Sequence, residues 1–461
     1  MLRFGTDGVR GVANVELTPE LVLALGRAAA RILALPATPP APATPPASPL
    51  RFVVGRDTRR SGPLLAAALA AGVASEGVDV IDVGVIPTPG VAALCRGWGV
   101  PGAMISASHN PFADNGVKLF AAGGLKLSSD KEAAIEALLP PAPAAPPAPA
   151  TPPAGAAVGT IAADPEAVAW YCRQLDAALE GRRLDGLRVV IDCGHGAAIA
   201  TAPLALAGAG AEVVEVIGDR PDGTNINAGS GSTDPSALSA AVVAHGADAG
   251  LAFDGDADRL IAVDDAGNVV DGDHLLALFA ADLAERGRLA GGTVVVTVMT
   301  NLGFHRAMAA RGIAVHTTPV GDRAVLEALD THGWSLGGEQ SGHVIFRDLA
   351  TTGDGVLSGL MALDLVARRG LPLSQLAAAA MSRMPQVLLN VAVGRPQGLP
   401  DATAVWHQVE AVEKELGAAG RVVLRPSGTE PLVRVMVEAP TEEAAEAAAG
   451  RIAGAVRSAL G

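Results

Sequence analysis

The chain has 461 residues, 49% of them hydrophobic and 18% charged, with a formal net charge of -14 and an isoelectric point near 5.1. That length exceeds what one hydrophobic core organises and predicts three or four domains, while the acidic balance excludes a general nucleic-acid surface, which needs clustered Lys and Arg. Apolar stretches are broken by Gly, Asp or Arg well before membrane-spanning length, and the N-terminal residues turn polar at once, so a cytoplasmic protein without membrane contact is expected.

In chain order, Thr18-Pro19-Glu20 opens a first helix, with Thr as N-cap and Pro at the first helical position. Pro36 to Pro49 is built almost wholly from Pro, Ala and Thr and reads as a semi-rigid surface loop, as does Pro140 to Pro153. Arg51 to Val54 predicts a strand, Leu64 to Ser75 a helix and Val78 to Val83 a second strand, which together make one α/β unit. The rhythm restarts at Leu187 to Cys193, followed by the turn Gly194-His195-Gly196, and again at Thr293 to Val298. After Ala378 the pattern changes to strand-like Gln386 to Val393, helix-like Val405 to Glu415, strand-like Val433 to Glu438 and an Ala-rich terminal helix, a smaller α+β domain. The expected divisions are 1–160, 161–268, 269–384 and 385–461. Cys95, Cys172 and Cys193 are too scattered for a zinc spacing and uneven for a disulfide set.

The sharpest metal candidate is Asp254-Gly255-Asp256-Ala257-Asp258-Arg259, directly after strand-like Gly250 to Phe253. Alternation puts three carboxylates on a short arc. At an effective dielectric of about 20, each pair at about 4 Å would repel by roughly 4 kcal/mol, so the group either takes up protons or recruits a cation. A hard divalent ion with oxygen ligands fits. An EF-hand loop also begins with alternating acids, but its sixth and twelfth positions here are Arg259 and Asp265, and apolar Leu260 to Val263 interrupts it, which favours Mg²⁺ at a strand end over calcium.

Ser106-Ala107-Ser108-His109-Asn110-Pro111 has the makings of an exposed nucleophile loop, although most Ser-His neighbours are ordinary turn residues. Asp114-Asn115-Gly116 reads as a tight turn, after which Lys118 supplies a mobile positive charge able to carry a proton. Arg425-Pro426-Ser427-Gly428-Thr429 has the parts of a phosphate cradle, a donor fork with hydroxyls and a glycine backbone, without being a Walker loop. Glu339, Ser341 and His343 sit in a third loop that could read sugar hydroxyls or serve as a plain turn. Arg10 and Arg56 add positive charge near glycines. Together these segments converge on phosphoryl transfer with two phosphate sites, hence a substrate with two attachment points.

Five segments, Phe4 to Gly11, Ser106 to Pro111, Asp254 to Arg259, Gly338 to His343 and Arg425 to Glu430, resemble the motifs of the α-D-phosphohexomutase family, in the family's order and across nearly the whole chain. The resemblance implies four domains around a central cleft, three of related α/β topology and a smaller last one. It implies a phosphorylated Ser108, with Ser108, Asp254, Asp256 and Asp258 holding one Mg²⁺. It further implies that Glu339, Ser341 and His343 read sugar hydroxyls and that Arg425, Ser427, Gly428 and Thr429 hold the distal phosphate of a phosphosugar. Arg10, His109, Lys118 and Arg259 would surround the transferring group, with Lys118 the first candidate proton carrier and His109 the second. Ile105 to His109, Gly338 to His343, Thr318 to Arg323, Pro221 to Asn227 and Gly231 to Thr233 resemble the bacterial branch that acts on glucosamine phosphates. A homodimer is open. Enzymes of the same fold acting on glucose or mannose phosphates are the nearest alternative. A sugar-phosphate sensor would need neither the serine nor the carboxylates, and a metal-dependent phosphomonoesterase would release phosphate.

Overall fold

The computed structural model describes residues 4–5, 8–35, 50–139, 152–427 and 431–461. Pro36 to Pro49, and all of Pro140 to Pro153 except its last two residues, lie outside the described residues. No helix among the described residues is long and apolar enough to cross a membrane.

The first sheet has six strands, in spatial order Val9–Val12, Asp114–Phe120, Gly102–Ile105, Arg51–Arg56, Asp79–Val85 and Ile161–Ala163. The last four run parallel and the first two join antiparallel. Phe52, Val53 and Val54 are all buried, as a parallel strand covered on both faces requires. Thr18 caps the helix Pro19–Ala29 by accepting from the Leu21 N–H at 3.4 Å, with Pro19 at its first position. The first sheet takes in Ile161–Ala163, beyond residue 160, because that segment continues the parallel ladder beside Val80 to Asp82.

The second sheet orders Val269–Val270, Leu260–Asp264, Ala249–Phe253, Arg188–Asp192 and Glu212–Ile217. The third orders Ala314–Thr318, Thr293–Thr297, Leu336–Gly338 and Val344–Phe346, and the fourth is an antiparallel triplet, Gln386–Ala392, Leu432–Glu438 and Arg421–Pro426. One apolar core runs unbroken from the first sheet through the third, from Val53 through Phe253 to Leu360. The fourth unit packs its sheet on the helices Thr403–Leu416 and Glu442–Leu460 around its own core of Val391, Val433 and Ile452.

This layering decides where chemistry can sit. Ser108 follows the strand Gly102–Ile105, the acidic segment joins Ala249–Phe253 to Leu260–Asp264, and Glu339 lies between Leu336–Gly338 and Val344–Phe346. Loops at strand ends carry side chains that the sheets themselves hold rigidly.

Candidate active site

Asp254, Asp256 and Asp258 are all buried, and each offers an oxygen within 4.8 Å of the others'. The turn that aims them is tight, with Ala257 in the left-handed region at φ 53° and its N–H on the Asp254 carbonyl at 3.0 Å. Asp256 Oδ2 accepts from Lys118 Nζ at 2.8 Å and from Thr88 Oγ1 at 2.5 Å, and Lys118 also reaches Asp258 Oδ2 at 3.3 Å. The remaining oxygens, Asp256 Oδ1 and Asp258 Oδ1, are buried and accept no hydrogen bond among the described residues. Buried acceptors left in this state are costly unless a cation takes them.

The electrostatics divide the three carboxyls. Burial, followed by the charges of Asp258 and Asp256, pushes Asp254 well above the ordinary carboxylate range. Burial also raises Asp258, but Lys118, His343 and Arg259 outweigh it and hold that carboxyl well below its usual value. Without a cation, the first carboxyl is thus driven toward its neutral form and the third toward its charged form.

Ser108 Oγ donates to Asp254 Oδ2 at 2.5 Å and lies 3.4 Å from His109 Nδ1. The expectation of an exposed nucleophile loop is corrected: Ser108 is only 1% exposed, because the acidic turn of the second unit packs directly over it. Burial, then the charges of Arg259 and Arg10, pulls His109 down to about 4, so its ring is neutral at pH 7. The expected turn at Asp114-Asn115-Gly116 is also corrected. These residues begin the strand Asp114–Phe120 and pair with Val12, Gly11 and Arg10, and the chain reverses earlier, where the Asp114 N–H meets the Pro111 carbonyl at 3.2 Å. Lys118 is therefore a buried strand residue fixed on two carboxylates, not a mobile charge.

The Glu339 loop is docked on the acidic hairpin by the Leu260 N–H, which meets the Gly342 carbonyl at 3.0 Å. Glu339 is half-buried and accepts from the Gly321 N–H at 3.1 Å, and Ser341 Oγ is buried with no partner among the described residues. His343 is 3% exposed, with Nε2 accepting the Gly353 N–H at 3.1 Å and Nδ1 3.8 Å from Asp258. Its ring is thus spent on the acidic turn and the protein backbone, while Glu339 and Ser341 keep acceptor and donor capacity. Arg259 Nε lies 3.8 Å from Asp258 Oδ1. Arg10 sits on Val9–Val12 opposite Gly116.

In the fourth unit, Arg425 faces Arg434 across the ladder, and burial followed by that like charge lowers its pKa, with Glu339 opposing. Its buried Nε has no partner among the described residues. The Ser427 N–H bonds the Leu432 carbonyl at 2.9 Å, and Gly428 and Thr429 lie outside the described residues. Arg56 is turned to Asp82 at 2.9 Å, outside this cluster. Thr88 was invisible in the sequence, since a threonine between two prolines carries no chemical signature. Arg59 stood in plain view beside Asp57, yet only the fold shows that both are buried and paired at 2.9 Å.

All four parts of the chain match phosphoglucomutase/phosphomannomutase domains: the alpha/beta/alpha domain I over residues 1–142, domain II over 169–267, domain III over 271–384 and the C-terminal domain over 388–455. The chain is 55% identical over 460 residues to the phosphoglucosamine mutase of Frankia alni, covering 99% of this chain and 98% of that one. It is 51% identical over 457 residues to the phosphoglucosamine mutase of Mycolicibacterium paratuberculosis, with 99% of each covered. A phosphoglucomutase/phosphomannomutase family protein of Burkholderia thailandensis shares the fold at TM-score 0.76, with 23% identity and 98% and 97% coverage. The N-acetylphosphoglucosamine mutase of Aspergillus fumigatus, solved with GlcNAc-6P and magnesium, shares it at TM-score 0.70, with 18% identity and 100% and 96% coverage. Motifs, domain order and full-length identity agree, and the chain belongs to the phosphohexomutase family of isomerases, in its phosphoglucosamine mutase branch.

Proposed function

We propose that the enzyme interconverts glucosamine 6-phosphate and glucosamine 1-phosphate through a phosphorylated Ser108 and a 1,6-bisphosphate intermediate. The observation that carries this reading is the 2.5 Å contact of Ser108 Oγ with the buried, three-carboxylate turn. The two orphaned carboxylate oxygens suit a hard divalent cation, with Ser108, Asp254, Asp256 and Asp258 as its holders. Bound there, Mg²⁺ would neutralise phosphoryl charge.

The residues then divide the work. A phosphoryl group on Ser108 Oγ passes to the free sugar hydroxyl as the Oγ–P bond breaks and a new O–P bond forms. The hydroxyl proton is taken up nearby, and the bisphosphate turns over and returns its other phosphate to Ser108. Lys118, charged against Asp256 and Asp258, is the first choice of proton carrier, as the donor to Ser108 Oγ when its bond to phosphorus breaks. His109, neutral at pH 7, is the second. Arg10 and Arg259 offset the spread charge of the transition state. Glu339 and Ser341 read the sugar, His343 steadies Asp258, and the Arg425 to Thr429 segment holds the distal phosphate.

The test is a mutase assay with Mg²⁺ and a trace of sugar 1,6-bisphosphate, comparing glucosamine 6-phosphate, glucose 1-phosphate and mannose 1-phosphate. Glucosamine phosphate should be strongly preferred, and Ser108→Ala should fall below about one-thousandth of wild-type turnover. Undiminished turnover by that variant would end the phosphoserine account, and preference for a neutral hexose phosphate would end the amino-sugar assignment.

A further inference from the structure

Ser108 stands in the left-handed backbone region at φ 52°, where a residue with a Cβ is strained by about 1–2 kcal/mol unless its surroundings hold it. The surroundings are specific. The Ser108 carbonyl receives two donors, Arg59 Nη2 at 2.8 Å and Asn227 Nδ2 at 3.0 Å. The same two groups reach the Asn110 carbonyl, at 2.8 and 3.4 Å.

Arg59 is 1% exposed and spends its guanidinium hydrogens on Asp57 and on the segment 108–114. Nε goes to Asp57, Nη1 to the carbonyls of Pro111 and Asp114, and Nη2 to those of Ser108 and Asn110. Asp57 in turn accepts from Ser106 Oγ at 2.7 Å, and Ser106 Oγ accepts the Ser108 N–H at 2.9 Å. Both sides of the Ser108 peptide backbone are therefore fixed from within the first unit.

Asn227 differs because it comes from the second unit, the one that carries the acidic turn. It lies in Pro221 to Asn227, a segment the reaction scheme leaves without a task. Its N–H is anchored on the Gly194 carbonyl at 2.8 Å, and the adjoining turn holds the acidic segment, where the Ala197 N–H meets the Gly255 carbonyl at 2.8 Å. A Cβ on Gly255 would stand 2.6 Å from the Ser108 carbonyl and 3.0 Å from Asn227 Nδ2, so only glycine lets these three groups meet. Two further contacts fasten the same segments across the units, the Thr58 hydroxyl donating to the His195 carbonyl at 2.5 Å and the Arg60 N–H to the Gly223 carbonyl at 2.8 Å.

We infer that Asn227 is a positioning residue for phosphoryl transfer, acting with Arg59 to lock the Ser108 backbone in register with the acidic turn of the neighbouring unit. The inference rests on the phosphoserine reading above. Asn227 bonds the Ser108 carbonyl and not Ser108 Oγ. It acts through the Ser108 carbonyl, so that Ser108 Oγ and Asp254 keep their 2.5 Å relation across the boundary between the two units.

The test uses the full-length enzyme with Asn227→Gly, which suits the left-handed backbone that Asn227 adopts at φ 59° and deletes the donor, and Asn227→Asp, which keeps the shape and turns an acceptor toward two carbonyls. Three quantities are read: kcat and KM for glucosamine 6-phosphate, Mg²⁺ affinity from thermal shift, and the rate at which glucose 1,6-bisphosphate loads one phosphoryl group onto Ser108 by intact mass. Misplacement of a reacting group by about 1 Å costs on the order of 100-fold. The expected result is a 10- to 100-fold fall, on that order, in kcat and in loading rate for both variants, with KM and Mg²⁺ affinity within about twofold of wild type. Arg59→Lys, which keeps the charge but loses the fork, should show the same split. Unchanged kcat in a folded Asn227→Gly, or a change in KM alone, overturns the inference. Should Asn227→Gly not fold, Asn227→Asp decides it by the same criteria. A wild-type enzyme that never gains a phosphoryl group on Ser108 is a separate outcome and removes the phosphoserine reading itself.

Discussion

At the scale of single residues, the acidic turn contains like charges that the fold tolerates by unequal protonation. Asp254 is driven toward its neutral form by burial and its two acidic neighbours, whereas Lys118 keeps Asp258 charged. An amide resembles the protonated carboxyl, so Asp254→Asn should unfold in urea within about 1 kcal/mol of wild type when divalent ions are chelated. The same variant should lose the stabilisation that Mg²⁺ confers on wild type, about 2.7 kcal/mol at a hundredfold excess over Kd. Equal Mg²⁺ stabilisation of both proteins would show that the ion binds elsewhere. The serine, the alternating aspartates and the basic residues were readable as types in the sequence. That Ser108 is buried, and that Lys118 lies on a strand, was not, because the first follows from a turn of the second unit closing over Ser108 and the second from pairing with Gly102–Ile105.

At the scale of elements, two contacts carry predictions. The helices Pro19–Ala29 and Gly62–Ala74 touch backbone to backbone, so that a Cβ on Gly72 would lie 2.2 Å from the Leu23 carbonyl. Gly72→Val should force the pair apart and lower the unfolding free energy by about 1–3 kcal/mol or more, since well-packed cores resist added methyl groups. Denaturant midpoints read the change, and a neutral outcome would mean that the helix crossing gives way freely.

The second contact is the buried N-cap of Gly355–Arg369, where Asp354 accepts from the Leu357 N–H at 2.9 Å and from Tyr171 OH at 2.8 Å. Burial pushes this carboxyl up to about 6 against an ordinary 3.8, with the hydrogen bonds opposing. The folded state then holds the proton longer than the unfolded chain. The contribution of Asp354 to stability is therefore greatest below pH 4 and declines as pH rises from about 4 to about 6, by up to roughly 3 kcal/mol. Subtracting the pH–stability curve of Asp354→Asn from that of wild type isolates this slope, and a flat difference would contradict it. Helix caps such as Thr18 and the apolar strand runs were legible because they are local. The partner of Asp354 lies 183 positions away in the sequence, and nothing local marks it.

At the scale of the whole molecule, the distribution of the cores separates the chain into two cooperative parts. The first three sheets share one continuous apolar core, and the fourth has its own. The link is polar: the Leu302 N–H meets Glu438 Oε2 at 3.1 Å, Asn301 Nδ2 donates to Gln386 Oε1 at 3.3 Å, and Arg421 Nη2 donates to the Thr300 carbonyl. Calorimetry should therefore resolve two transitions, with the smaller assigned to residues after Pro385. Asn301→Ala should move the two further apart, because a hydrogen-bonded seam couples units less strongly than shared apolar burial. A single transition, unmoved by Asn301→Ala, would mean that all four units unfold as one.

By itself, the sequence determined the α/β alternation, the change of character near residue 385, and the chemistry on offer, because hydrophobic period, proline and glycine punctuation and side-chain type are local properties. The tertiary structure alone decided that Ile161–Ala163 belongs to the first sheet and that His343 serves the acidic turn. It also decided that Arg59 and Asn227 meet at the Ser108 carbonyl and that Thr88 meets Asp256. Each of these depends on residues far apart in the chain meeting, and a meeting of this kind is fixed by how strands pair and sheets pack, which no segment specifies on its own.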